Sequence, residues 1–392
     1  MTERLYYSDS YLHQFQASVI SVDGQKVYLD RTAFYPTSGG QPFDVGTLGG
    51  ARVVDVVDES ARIAHVLETP ARFSPADELR GVVDWRRRFD HMQQHTGQHL
   101  LSAVFEELFG HKTVSVHFGD ASSTLDLDVS PLSEERTLKA ERRANEIVFE
   151  NRAVTVTFED AAAAIGLRKA ADRTGEIRIV QIQGIDRSAC GGTHVRGTGE
   201  IGPVVIRGIE KYKQATRVEF LCGWRALARA RTDFEALSAI AGSLTSSVDE
   251  APALVASQAA QLKEAATHAR KRGDELAKYQ ARERYDAAVP DASGVRQVVE
   301  TAPTMDPLRT MAQAFAALPK AVYIGTAAAP PGIVLAASAD SGINAGELLK
   351  AALTANGGRG GGSPRVAQGT VPDAAALALV LAALRQGSQR TG

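Results

Sequence analysis

Two short stretches constrain this chain more than any other feature. HTGQHLL runs from His95 to Leu101, and SACGGTHV runs from Ser188 to Val195. Each carries two metal-capable side chains four positions apart: His95 with His99, and Cys190 with His194. On a helix, positions i and i+4 share one face, so the two histidines can grip a single ion. The Cys190–His194 pair has Gly191 and Gly192 inside it, which suits a turn after a strand rather than a helix. One thiolate with three imidazoles is a tetrahedral donor set suited to Zn²⁺. If both pairs hold one zinc ion, the fold must bring a helix and a distant strand end together. An H-E-x-x-H metalloprotease would need Glu at position 96, where this chain has Thr96.

The segments around these pairs read as an α+β protein. Residues 1–88 show short alternating runs broken by turn residues, as expected for a small β-barrel-like domain. Within them, Tyr35 to Gly50 is a glycine- and proline-punctuated loop whose paired glycines suggest positive φ. Helical periodicity starts near Phe89, and SEERTLKAERRANEIVFEN reads as a second helix with Ser133 as its N-cap. With the strands TVSVHF, STLDL, EIRIVQI and the pair across GPVVIRGIEKYKQATRVEFLCG, residues 89–226 form an α+β domain. Residues 227–288 are Ala-rich and helical with a break near Pro252, a loose apolar stripe and dense mixed charge. Residues 289–392 read as a small α/β domain, with NGGRGGGSPRVAQG as a loop and a last helix with Pro372 near its first turn.

Composition narrows the function classes. The formal net charge of the 392 residues is -2, so any nucleic acid must be held by local basic patches. No apolar run approaches the roughly 18 residues of a membrane span. The N-terminal residues lack an apolar signal core, and the only cysteines are Cys190 and Cys222, so a cytoplasmic, reducing compartment is expected. His91 reads as a capping or surface residue, and Cys222 as a buried apolar one.

Together the stretches resemble a known family. HTGQHLL with CGGTHV resembles the paired metal motifs of the alanyl-tRNA synthetase editing domain. TAFYPTSGGQPFDVG resembles its glycine-rich motif, and RIVQIQGIDRSACGGTHVRGTGEIG matches over a long run. NGGRGGGSPRVAQG is similar to the C-Ala, or DHH-associated, domain of the same enzymes. No class II aminoacylation domain precedes the glycine-rich module, so the expectation is a free-standing editing protein of the long AlaX type.

The resemblance implies hydrolysis, in trans, of the ester of mischarged tRNA(Ala), carrying serine or glycine. A synthetase pocket rejects one small group by only about 10- to 200-fold, so a second sieve is useful. By its place in the glycine-rich motif, Thr32 is the candidate contact to a serine hydroxyl. Gln41, with Gly39 and Gly40 before it, is the candidate for positioning water or the terminal ribose. Candidate tRNA contacts are Arg86, Arg87 and Arg88 before the metal helix, and Arg359 and Arg365 in the tail loop. Similarity to C-Ala further implies tRNA binding and a homodimer through the helical segment. Two rivals stay open. A closed four-ligand zinc site is usually structural, which fits a non-catalytic tRNA-binding protein. A metallohydrolase acting on some other ester is the second.

Overall fold

The computed structural model describes residues 1–168 and 174–388. They divide into two compact units, Met1–Ile240 and Ala241–Gly392. Among the described residues, no helix is long and apolar enough to cross a membrane.

The first unit opens with a closed six-stranded antiparallel barrel: Gln14–Asp23, Lys26–Leu29, Ile63–Leu67, Ala51–Asp58, Gly46–Leu48 and Glu78–Val83, in that spatial order. Alternation along Gln14–Asp23 turns Phe15, Ala17 and Val19 inward, where they pack with Val27, Leu48, Val53 and Ile63. Closure leaves no free sheet edge. The loop from Ala33 to Val45 leaves the barrel and carries Tyr35, Gln41 and Asp44. Gly39 and Gly40 in it are both left-handed, with φ of 57° and 86°.

The helix Trp85–Phe109 follows and is the axis of the unit. Its start lies four residues before the expected Phe89, because the Asp84 carboxylate caps it by accepting from the Arg87 N–H at 3.1 Å. From His91 to Phe105 every residue is buried. A helix buried all round carries no apolar stripe, so its polar side chains must be satisfied individually. Gln94 does this with both ends of its amide on the Cys222 backbone, donating to O at 2.9 Å and accepting from N at 2.9 Å. Around the helix lie a four-stranded antiparallel sheet (Val204–Tyr212, Ala215–Cys222, Ser123–Leu127, Thr113–Phe118) and the helix Glu134–Glu150. A three-stranded sheet (Val154–Asp160, Glu176–Ile182, Asp186–Ala189) completes the unit. Ser133 caps Glu134–Glu150 as expected, accepting from the Arg136 N–H.

The helix Gly223–Ser243 and the helix Ala251–Ala287 fall on either side of the break expected near Pro252. In the second unit a five-stranded sheet runs Arg296–Ala302, Ala321–Ala328, Pro331–Ala337, Val366–Thr370, Arg359–Gly362. Only its first pair is parallel. The expected glycine-rich loop is instead a hairpin, Arg359–Gly362 with Val366–Thr370. The glycines serve close approach: a Cβ on Gly360 would lie 2.3 Å from the Gln368 carbonyl oxygen. Pro372 lies just outside the last helix, Ala374–Gly387, whose cap is Asp373.

Arg88 was expected to face tRNA, and the structure corrects this. Its side chain is fully buried, and its donors reach Asp44, the Ala33 carbonyl and, at 2.7 Å, the Ser10 carbonyl. Asp44, equally buried, also accepts from the Tyr35 N–H at 2.7 Å. No donor of Arg88 faces a phosphate. The pair instead ties the barrel loop to the first turn of the central helix. Removing one partner leaves the other charge buried and unpaired, which typically costs about 3–5 kcal/mol. Asp44→Ala should therefore lower the unfolding free energy of the first unit by that amount, seen as a lower urea midpoint in the fluorescence of Trp85 and Trp224. Arg86→Ala, at an exposed neighbour, should stay within about 0.5 kcal/mol of the parent. An unchanged midpoint for Asp44→Ala would show that the pair does not hold the two elements together.

Candidate metal centre

The central helix presents His95 and His99 one turn apart on the same face. The strand Asp186–Ala189 ends immediately before Cys190, and the loop that follows folds His194 back over the helix. One ligand atom from each of His95, His99, Cys190 and His194 lies within 4.8 Å of all the others. Folding thus brings the two sequence pairs into one group that could hold a metal ion.

Hydrogen bonds settle which ring nitrogen of each histidine faces the group. The Gln41 Oε1 accepts from the Thr193 backbone N–H at 3.1 Å, so that atom is the amide oxygen. Its 2.8 Å contact with His95 Nδ1 then requires Nδ1 to donate. His99 Nδ1 donates to Asp186 Oδ2 at 2.8 Å. Thr96 Oγ1 donates to the Met92 carbonyl, so at 3.1 Å it accepts from His194 Nδ1. Each Nδ1 is therefore the outward nitrogen and each Nε2 turns inward. This is the usual way that outer partners orient metal-binding imidazoles.

The separations fit zinc. Bond lengths of about 2.3 Å to sulfur and 2.0–2.1 Å to nitrogen, at a tetrahedral angle, place S and N about 3.6 Å apart. Cys190 Sγ lies 3.4 Å from His95 Nε2 and 3.3 Å from His194 Nε2. With Nδ1 of His95 and of His194 donating outward, the Nε2 atoms of both rings face sulfur, an arrangement that a shared cation would stabilise. Burial favours the neutral thiol, but His95 and His194 hold Cys190 well below its ordinary range, in the ligating thiolate form. Burial, reinforced by His95, lowers His194 to about 3 and keeps it neutral. Burial opposes charge on His99 too, yet Asp186 and Cys190 push it up to about 9.

Gly192 is required by packing rather than by backbone freedom. A Cβ there would lie 2.2 Å from His95 Cε1. Thr96, at the position of the zincin glutamate, orients His194 instead of acting as a base.

Other expected site residues fall as follows. Gln41 is buried, and its amide is engaged at both ends, donating to Thr193 Oγ1 at 2.8 Å while its oxygen holds His95 and Thr193. Positioning a ring, rather than water or ribose, is what its observed contacts do. Thr32 is fully buried. His65 Nδ1 donates to the Val27 carbonyl at 3.0 Å, so its Nε2 accepts from the Thr32 hydroxyl at 2.7 Å. The Phe34 N–H donates to that same hydroxyl oxygen at 3.1 Å. Arg86 is exposed, and Arg87 donates to the Phe43 carbonyl at 3.0 Å. Arg359 and Arg365 are exposed on the tail hairpin, with Arg365 donating to the Ala316 carbonyl. His91 is neither a cap nor a surface residue: it is buried, and burial with Arg87 lowers it to about 4.

Asp186 and Arg168 escape notice in the sequence. The Asp186 carboxylate accepts from His99, from Arg168 Nε at 2.7 Å and from Ser188 Oγ at 2.9 Å. Its signal is the strand period: Asp186, Ser188 and Cys190 alternate onto one face. A metal ion must displace the His99 proton to bind. Apparent zinc affinity should therefore rise about tenfold per pH unit from pH 7 to the His99 value near 9, then level off. Chelator competition across pH 6.5–9.5 measures this. A flat profile below pH 9 would show that His99 is not a proton-competed ligand.

Comparisons with known proteins bear on the family of the chain. Residues 7–87 match the tRNA synthetases class II (A) model, and residues 177–219 match the threonyl and alanyl tRNA synthetase second additional domain. Residues 292–387 match the DHHA1 domain. The alanine–tRNA ligase of Pyrococcus abyssi is 33% identical over 395 residues, covering 95% of this chain and 42% of that one. The alanyl-tRNA editing protein AlaX-L of Pyrococcus horikoshii is 33% identical over 58% of this chain and 60% of its own length. This chain therefore spans about half the length of these two relatives. AlaX-M of Methanosarcina mazei is 35% identical over 237 residues, 55% of this chain and 94% of that protein. Among solved structures, the C-Ala domain of Aquifex aeolicus alanyl-tRNA synthetase overlaps 24% of this chain and 90% of that one at 19% identity, with a TM-score of 0.22 that is too low to bear on the fold. Coverage of nearly all of AlaX-M, with the three matched models, shows that the chain belongs to the AlaX family of alanyl-tRNA editing proteins.

Proposed function

We propose that this chain is a zinc-dependent hydrolase that deacylates mischarged tRNA(Ala) in trans. The observation that carries the reading is the convergence of three oriented Nε2 atoms and one thiolate, in a chain of this family. His95, His99, Cys190 and His194 would hold one Zn²⁺. Bound there, zinc supplies Lewis-acid polarisation of a carbonyl, or a water whose pKa falls to about 7. The reaction adds water across the aminoacyl ester, releasing the amino acid and the free terminal hydroxyl of the tRNA.

The chain's own residues do the positioning. Gln41, Asp186 and Thr96 hold the three rings. Asp186 is a poor general base: burial would raise it, but His99 and Arg168 hold it down to about 2. Thr96 and Gln41 do not ionise, so no side chain of the centre takes a proton from water on its own.

Thr32 is the proposed serine contact. Its O–H is committed to His65, and Phe34 occupies one lone pair of its oxygen. One acceptor position remains, which suits a substrate hydroxyl that donates. Alanine and glycine offer no such donor and would leave that position unfilled, so serine is the preferred acyl group. Arg86, Arg359 and Arg365 remain the proposed phosphate contacts, since each exposes a guanidinium.

Deacylation of Ser-, Gly- and Ala-tRNA(Ala) tests the reading. Turnover should be fastest for Ser-tRNA(Ala), with Ala-tRNA(Ala) spared. Cys190→Ala should lose zinc and turnover together. Full turnover by zinc-free protein would contradict the metal's role. Zinc without any turnover would favour the RNA-binding protein with a structural ion, and turnover indifferent to the tRNA would favour a general esterase. Thr32→Val should shrink the preference for serine over alanine by about tenfold or more. An unchanged ratio would take Thr32 out of the acyl site.

A further inference from the structure

Arg178 lies on the middle strand of the three-stranded sheet and is not among the four ligands. Its guanidinium nevertheless holds the loop that carries two of them. Nη1 donates to the Cys190 carbonyl at 2.7 Å and to the Gly192 carbonyl at 2.9 Å. Nε donates to the Tyr7 carbonyl at 3.0 Å, and the guanidinium carbon lies 5.7 Å from the centre of the Tyr7 ring. The residue is only 8% exposed, and Nη2 has no hydrogen-bond partner among the described residues.

A buried guanidinium normally has a carboxylate beside it, because an unpaired interior charge is costly. Burial works against its charge, and among the described residues the ionisable groups acting most on it are Cys190 and the tyrosines Tyr7, Tyr35 and Tyr6. A metal-bound cysteine is a thiolate. The hydrogen bond to the Cys190 carbonyl would put the guanidinium charge within one residue of the sulfur ligand in a loaded site. One planar fork braces the backbone on both sides of Gly191 while its charge sits beside Cys190. A lysine ammonium is a point charge and cannot reproduce the fork's directions.

We infer that Arg178 is a positioning residue of the metal loop: it aims Cys190 Sγ through the Cys190 and Gly192 carbonyls, and its charge draws electron density away from the thiolate. This role rests on the four-ligand reading of the centre and is independent of deacylase activity.

Cobalt(II) added to the metal-stripped full-length chain tests it. The thiolate-to-cobalt charge-transfer band reports electron density on sulfur, and titration of its intensity reports affinity. Arg178→Gln removes the charge. Its band should move to lower energy, because sulfur gives up an electron more easily, and affinity should fall about 10- to 100-fold. Arg178→Lys keeps the charge and loses the fork. Its band should stay at the parent energy while affinity falls. An Arg178→Gln protein with the parent's band energy and affinity would overturn the inference. If circular dichroism shows that this variant does not fold, Arg178→Lys decides: parental affinity overturns the inference and weaker binding supports it. Absence of a thiolate band in the parent protein would overturn the four-ligand reading and this inference together. A normal parent band without turnover on any aminoacyl-tRNA would defeat only the deacylase reading.

Discussion

The rest of the first unit depends on the buried pair between Arg88 and Asp44. Asp44 belongs to the loop that leaves the barrel, and Arg88 to the first turn of the central helix. Two turns further along that helix stands His95. By fixing the loop at Asp44, the pair delivers Gln41 to His95 and sets the tautomer of the first candidate metal-binding ring. A buried ion pair is weak evidence for net stability, since desolvation offsets most of the attraction. Its contribution here is register: this arrangement of barrel against helix gives each guanidinium nitrogen an acceptor, and another would break buried hydrogen bonds. The same guanidinium also holds the Ser10 and Ala33 carbonyls, so the N-terminal segment and both ends of the barrel loop meet at one side chain.

The centre is thus a joint product of two folding elements. The helix and the Cys190 loop supply the four candidate ligands. The orientation of those ligands comes from the barrel loop through Gln41, from the strand through Asp186, and from the helix itself through Thr96. A ring held at Nδ1 keeps Nε2 available and loses little freedom on binding an ion. A barrel beside the α+β sheet then has a reason beyond acyl recognition: without it, His95 has no orienting partner. Arg178 extends the same logic to the thiolate, reaching from the neighbouring strand to the backbone of the loop.

Much of this was legible in the sequence, and the failures have physical causes. The helical i,i+4 spacing of His95 and His99 and the strand-to-turn setting of Cys190 and His194 are local signals, and folding unites them. The barrel and the two-helix segment announced themselves through periodicity and breaks. Arg88 misled because three adjacent arginines look like one solvated face. Helical rotation sends Arg86 outward and Arg88 inward, and only the distant Asp44 reveals the difference. The partners of Gln41 and Asp186 are far away in the chain, so neither could be assigned its role from spacing. The tail glycines read as a loop because glycine disfavours strands in general. In the hairpin they permit a backbone approach that any side chain would block.

The central claim is that His95, His99, Cys190 and His194 bind one zinc ion, through three imidazole nitrogens and one sulfur. Zinc K-edge X-ray absorption of the purified full-length protein, with the metal content measured on the same sample, tests it most directly. The account predicts one zinc per chain, with about three nitrogen neighbours at 2.0–2.1 Å and one sulfur at about 2.3 Å. A protein purified and incubated with zinc that retains none, or a zinc shell lacking sulfur, would contradict it.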